Sequence, residues 1–177
     1  MQPVETMQEA LTPTATSWDE AGNLEVLTFD LGDETFAVEA MLVREILDLL
    51  PETRVPGAAP LVRSVVNFRG KIIPIADLRL AFAMPPAEAT VDSRIVVIEL
   101  ELHGEPTQIG IRTDKVHEVA TLNRSASEEP PAVGMRWRRD FVRELVRRPT
   151  GIVVLPDLFA IFASHSSAGD AALSPNN

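Results

Sequence analysis

The run LEVLTFDLGDETFAVEA, residues 24–40, constrains the fold more than any other stretch, because its apolar residues recur with a period of two. Leu27, Phe29 and Leu31 fall on one side of an extended chain and Thr28 and Asp30 on the other, and Phe36 and Val38 resume the pattern after a break. That spacing cannot form a helical stripe. Gly32-Asp33 at the break reads as a two-residue hairpin turn, with glycine supplying the positive φ of a type II′ turn.

The same signature recurs down the chain. MLVREILDLL is ambiguous: Leu42, Ile46 and Leu49 fit a helical face, whereas Val43, Glu45 and Leu47 fit a strand. After the turn-rich PETRVPGAAP, SVVNF and KIIPI flank Arg69-Gly70, and Pro74, which has no amide hydrogen to donate, is expected at an edge or bulge. Asp77 looks like the N-cap of a helix over LRLAFAM that stops at Pro85-Pro86. DSRIVVIELELH turns at His103-Gly104 and returns antiparallel as TQIGIRTD, and KVHEVATL follows as a strand. A loop over 123–135 leads to FVRELV, which pairs with GIVVL across RRPTG, before Pro156-Asp157 opens a last short helix. Nine or ten closely spaced strands with a few short helices predict an all-β barrel or a pair of barrels.

At 177 residues the chain fits one domain, or one built of two intimate halves, that buries about 70% of its unfolded surface. Aromatics are only 5% and Tyr is absent, so aliphatic side chains must fill the core. The absence of Cys removes disulfides, thiolate metal sites and thiol nucleophiles, and suits a reducing compartment. Residues 1–23 carry Glu5, Glu9, Asp19 and Glu20 with no Lys or Arg and read as a disordered acidic tail. Residues 24–163 form the folded part, and 164–177 read as a second disordered tail. The start has no basic n-region or apolar h-region, and no run approaches the roughly 18 apolar residues that cross a bilayer, so a cytoplasmic protein without direct membrane insertion is expected.

A net charge of −10 argues against nucleic acid as a partner. The exception is RWRRDFVRELVRR, residues 136–148, whose six Arg against Asp140 and Glu144 give a local +4. A solvated basic rim is the preferred reading, an acidic partner the next, and single-stranded nucleic acid or a small ligand bound through this arm the remaining alternative. Catalytic patterns are missing. Gly70-Lys71 lacks the upstream glycine and downstream Ser/Thr of a phosphate loop, there is no Gly-x-Ser-x-Gly elbow, and His103, His117 and His165 have no local Ser/Asp constellation. Glu99, Glu101 and His103 share a strand face but span about 13 Å, too far for one ion, so a solvated face is preferred and neither metal nor cofactor is expected.

The hairpin VVNFRGKIIPIADLR, residues 65–79, can be read as packing alone: Val65, Val66, Ile72, Ile73 and Ile75 pack, Gly70 takes a special backbone conformation and Arg69 faces water. A functional reading places Asn67 and Arg69 on one strand side, with the guanidinium's planar fork at the end of a rigid barrel. Together with LTFDLGDETFAVEAMLVREI, RIVVIEL, IGIRTDKVHEV and IVVLPDLFAIF in this order, over about 140 residues, the hairpin closely resembles the CheW family of chemotaxis coupling proteins. Its most specific part is Val66-Asn67-Phe68-Arg69-Gly70 with Ile73-Pro74-Ile75 and Asp77-Leu78-Arg79.

The resemblance implies two intertwined five-stranded SH3-like β-barrels with a few short helices, and a strand near MLVREI after a single helical turn. It implies an adaptor, not an enzyme, that bridges the cytoplasmic tips of chemoreceptors to the regulatory domain of the histidine kinase CheA within membrane-associated arrays. By matching positions it assigns receptor contact to Val43, Glu45, Asn67 and Arg69, with Ile46 as apolar support, and it assigns no kinase-binding residue. Three departures stand out: Ser64 where the family has Gly, expected to add bulk beside the groove; Phe68 in place of Leu; and the Arg-rich penultimate strand ending in Pro149, with Pro156 beyond it.

Overall fold

The computed structural model describes residues 16–131 and 139–164. Strands β1 (Asn23–Leu31) and β2 (Glu34–Glu39) pair antiparallel with Leu31 opposite Glu34, so Gly32-Asp33 is the turn, with Gly32 at φ 60°. A 3-10 turn at Ala40–Leu42 carries the chain into a second sheet, made of β3 (Val43–Asp48), β4 (Thr53–Arg54), β5 (Ser64–Phe68), β6 (Lys71–Ala76), β7 (Arg94–Leu102) and β8 (Glu105–Thr113). The chain then returns to the first sheet as β9 (Lys115–Asn123), β10 (Ser127–Glu128), β11 (Val142–Arg148) and β12 (Gly151–Pro156).

The sheet orders explain why the two halves are intertwined. The first sheet runs β10-β11-β12-β2-β1-β9 and the second β4-β5-β6-β8-β7-β3. Each has five longer strands and one of two residues, and in each a hairpin joins a second hairpin through one parallel pair, β12 with β2 and β6 with β8. The strand after each central hairpin crosses over: β3 leaves β2 to pair with β7, and β9 leaves β8 to pair with β1. Each barrel is thus completed by a strand fed from the other.

Both faces of β1 are buried. Leu24 and Val26 point into barrel 1 with Ala37, Leu122, Val146, Val153 and Leu155, while Leu27, Phe29 and Leu31 point into the seam between the barrels. Val96, Ile98, Ile109 and Ile111 reach the seam from barrel 2, together with Phe36, Phe82, Phe141 and Phe162. Barrel 2 has its own interior of Leu47, Val66, Ile73, Ile75, Ile95 and Val97. The seam is the largest apolar cluster, so burial between the barrels, at about 25 cal/mol per Å², holds them together.

Several local expectations change. Residues 16–22, assigned from sequence to the tail, form a turn: Asp19 Oδ1 accepts from the amides of Ala21 and Asn23, and Trp18 packs against the barrel 1 core. Asn23 already belongs to β1, and residues 1–15 and 165–177 lie outside the described residues. Asp77 caps the helix as expected, accepting from the Arg79 amide at 3.1 Å, but the helix spans only Leu78–Ala81. Ala83 takes φ 51° and the Met84 amide donates back to the Arg79 carbonyl at 2.9 Å, which ends the helix before the prolines act. Pro74 sits in an interior strand, not at an edge; the ladder to β8 covers only Ile75 and Ala76, which leaves room for a residue without an amide hydrogen.

Candidate functional site

Strand directions bring together two segments far apart in sequence. β3 is antiparallel to β7, β7 to β8 and β5 to β6, while β6 and β8 are parallel, so β3 and β5 run in opposite senses. The start of β3, with Val43 and Glu45, therefore lies at the same end of barrel 2 as the finish of β5, with Asn67 and the Arg69-Gly70 turn. Ion pairs mark the two ends. Arg44 meets Glu99 at 3.4 Å at this one, and Arg94 meets Asp48 at 3.3 Å at the other.

Within β3 the register slips between Val43 and Glu45, with Arg44 as the extra residue. Val43 lies opposite Ile98, which faces the seam, and Glu45 lies opposite Val97, which faces the barrel interior. The plain alternation of Val43, Glu45 and Leu47 is therefore broken: Val43 packs on the seam core, whereas Glu45 takes the side of Leu47 at the exposed barrel end. Ile46 returns to the seam-facing side and is 44% exposed, so it presents apolar surface of its own.

At the hairpin, Asn67 and Arg69 do not share a strand side. β5 ends at Phe68, and Arg69 occupies the turn with φ 53°, followed by Gly70 at φ 80°. Positive φ at both central positions is the type I′ geometry, whose twist matches a two-residue hairpin. The Asn67 side chain braces the turn, its Oδ1 accepting from the Gly70 amide at 2.9 Å. Phe68 is half-buried against the barrel 2 interior, and the Arg69 guanidinium lies 4.7 Å from its ring centroid, stacked on the outside. Asn67 is paired with Ile72, which is 59% exposed, so a polar and an apolar side chain stand together on the outer face.

A cavity of about 190 Å³ opens in the seam near this end, lined by Leu42, Glu99, Leu100, Arg143, Leu158 and Phe159 among others. Leu42 directly precedes Val43 and Glu99 holds Arg44, but none of the five sequence-assigned residues lines the cavity. Nothing in the sequence marks these lining residues, because they come from widely separated parts of the chain and meet only through the crossover.

The basic arm is not simply a solvated rim. Arg143 is 18% exposed, with Glu39 at 3.3 Å and Asp157 at 3.7 Å, and Arg147 pairs with Glu128. Residues 136–138 lie outside the described residues. Ser64, expected to crowd the groove, lies at the opposite end of barrel 2, where its hydroxyl donates to Glu52 at 2.6 Å. Among Glu99, Glu101 and His103, the first is engaged with Arg44 and the last sits in a turn at φ 53°, off the strand. His117 meets Asp30 at 2.7 Å on the surface of barrel 1.

The family profile described as CheW-like domain matches residues 25–166. The chain is 29% identical over 146 residues to a probable chemotaxis protein CheW of Rhizobium etli, covering 82% of this chain and 92% of that protein. It is 30% identical over 143 residues to the chemotaxis protein CheW of Rhizobium meliloti, covering 81% and 90%. The crystal structure of the scaffolding protein TtCheW from Thermoanaerobacter tengcongensis superposes with a TM-score of 0.67 at 27% identity, covering 78% of this chain and 92% of that one.

Proposed function

The chain belongs to the CheW-like domain family, whose members are non-catalytic chemotaxis coupling scaffolds, and from that premise we propose that its receptor-contacting surface is the end of barrel 2 formed by the start of β3 and the turn after β5. Val43, Glu45, Asn67 and Arg69 carry the contact and Ile46 supports it. The partner is the helical tip of a chemoreceptor; a separate surface engages the regulatory domain of the histidine kinase CheA. The protein works in the cytoplasm, recruited to membrane-associated receptor arrays, and among the described residues no helix is long and apolar enough to cross a membrane.

The observation that carries this reading is the opposed run of β3 and β5, which gathers Glu45, Ile46, Asn67 and Arg69, all exposed, around one barrel end. Exposed Ile46 and Ile72 offer apolar area to a helix, which supplies affinity, while Glu45 and Arg69 offer charges of opposite sign that set its register. Arg69 is held over Phe68 before any partner arrives, so less side-chain entropy is lost on contact.

Coupling needs no chemistry in the adaptor. It requires that two receptor states differ in their free energy of contact with this surface, and that the adaptor touch receptor and kinase at once. Individually weak contacts suffice where many are made together in an array. The test combines purified protein, receptor fragments and kinase. Receptor-dependent stimulation of the kinase should appear with this chain and fall with Arg69→Ala; unchanged co-sedimentation and stimulation in that variant would refute the assignment.

A further inference from the structure

Barrel 1 repeats, position by position, the surface of barrel 2 assigned to the receptor. β9 against β1 follows the plan of β3 against β7: Val116 lies opposite Phe29 as Val43 lies opposite Ile98, one extra residue then enters the strand, and Val119 lies opposite Leu27 as Ile46 lies opposite Val96. All four partners face the seam. The ion pair is repeated as well, with His117 and Asp30 at 2.7 Å in the place of Arg44 and Glu99. In the hairpins, Arg147 opposite Ile152 matches Asn67 opposite Ile72, and beyond them the Asp157 amide donates to the Phe141 carbonyl as the Asp77 amide donates to that of Leu61. We propose that the start of β9 and the end of β11 form a second docking surface, which takes the helical tip of another receptor: a bundle presenting an apolar stripe flanked by a base and an acid.

Strand directions gather this surface as they gather the first. β9 is antiparallel to β1, β1 to β2 and β12 to β11, while β2 and β12 are parallel, so β9 and β11 run in opposite senses. The start of β9 thus lies at the end of barrel 1 where β11 turns into β12. Val119 is 59% exposed and Ile152 55%, counterparts of the exposed Ile46 and Ile72 on barrel 2. Glu118 stands where Glu45 stands, and Arg148 supplies the opposite charge at the finish of β11; neither side chain makes an ion pair among the described residues. Asp30 does not add to the exposed negative charge, because His117 and the Thr35 hydroxyl engage its two oxygens.

A helix fits this surface better than a strand does. β9 is an edge strand, but its extra residue distorts the ladder and His117 and Glu118 are both exposed there, which discourages pairing by a further strand. A helix uses side chains alone: its apolar stripe seats on Val119 and Ile152 while its base meets Glu118 and its acid meets Arg148. The two surfaces differ at the turn, where Pro149 takes the place of Arg69, so the guanidinium stacked on Phe68 has no counterpart and the second contact is the weaker one. One chain then holds two bundles, one on each barrel, and weak contacts made in pairs strengthen an array.

The kind of partner is carried over from the receptor assignment on barrel 2, so this inference rests on that assignment, and the experiment separates the two. Methyl NMR of the full chain follows Val119 and Ile152 alongside Ile46 and Ile72 during titration with a soluble cytoplasmic fragment of a chemoreceptor. Both pairs should shift saturably, Val119 and Ile152 at the higher fragment concentration. Ile152→Gln should weaken the response of Val119 about tenfold, leave those of Ile46 and Ile72 as they were and keep the unfolding midpoint. Should that change disturb β12, Val119→Gln must weaken the response of Ile152 in the same way. Shifts at Ile46 and Ile72 alone would overturn the second surface and leave the receptor assignment standing, whereas no shift at any of the four would remove both. Val119 and Ile152 signals that move when the chain is concentrated alone would mean that a second copy covers this face, and an undiminished response in both variants would equally overturn the inference.

Discussion

The guanidinium of Arg79 meets the carboxylate of Asp114 at the point where the chain leaves barrel 2 for barrel 1. Asp114 is the single residue between β8 and β9, and the same carboxylate accepts from the Gly32 amide at 2.7 Å, in the β1–β2 turn of the other barrel. One side chain is thus tied to both halves. The partners are unequally buried, 6% exposure for the Arg79 side chain and 28% for Asp114. Asp114→Ala strands an almost fully buried cation and is expected to cost about 3–5 kcal/mol in urea unfolding. Arg79→Met leaves a carboxylate that reaches water and still accepts from Gly32, so it should cost less. The reverse order would show that the pair does not anchor the crossing.

Gly110 sits in β8 between the parallel β6–β8 ladder and β7, opposite Ile75 and Val97. A Cβ there would lie 2.7 Å from both Ile75 Cδ1 and Ile95 Cγ2, inside the packed interior of barrel 2. Gly110→Ala should therefore destabilise by about 1–3 kcal/mol through overpacking, although alanine has the better backbone entropy. Thermal unfolding measures this, and a variant of equal or higher midpoint would mean the two isoleucines rearrange freely.

Arg69 holds a left-handed backbone that costs a residue with a Cβ about 1–2 kcal/mol. Arg69→Gly removes both that strain and the guanidinium, so it should unfold at the same or higher denaturant concentration yet recruit less receptor. Asn67→Ala is the less clean variant, since it also removes the acceptor for the Gly70 amide and should loosen the turn. Loss of recruitment with undiminished stability in Arg69→Gly is the result that separates function from folding; full recruitment would assign Arg69 to the turn alone.

What was legible in the sequence followed from local rules. The two-residue turn at Gly32-Asp33, the Asp77 cap and the pairing of FVRELV with GIVVL all depend on neighbours within a few residues, and each appears in the structure. What escaped depends on register and crossing. Arg44 is an inserted residue in the ladder, which no alternation reveals, and it turns Val43 and Glu45 to different faces. Arg143 looked like one member of a solvated basic run because its acidic neighbours, Glu39 and Asp157, are brought to it only when β2, β11 and the final helical turn converge. A hollow at the far end of barrel 2 collects Arg54, Arg63 and Arg112 from separate strands and turns for the same reason.

Glu39 and Arg143 secure the other crossing, since Glu39 is the last residue of β2 before the chain enters the 3-10 turn that leads to β3. Replacing Arg143 by Met leaves Glu39 and Asp157, each with an 11% exposed side chain, without their shared cation. The variant should lose about 3 kcal/mol, because the two nearly buried carboxylates then lack their counter-charge, although Asp157 still accepts from the Ala160 amide. Adding Glu39→Gln removes one of those charges at nearly the same volume, so Arg143→Met/Glu39→Gln should regain a measurable part of the loss. A double-mutant cycle in urea isolates that coupling, expected at about 0.5–3 kcal/mol. Strict additivity of the two substitutions would show that Arg143 acts through packing and not through this charge, and the Val43 end of β3 would then owe its position to the seam core alone.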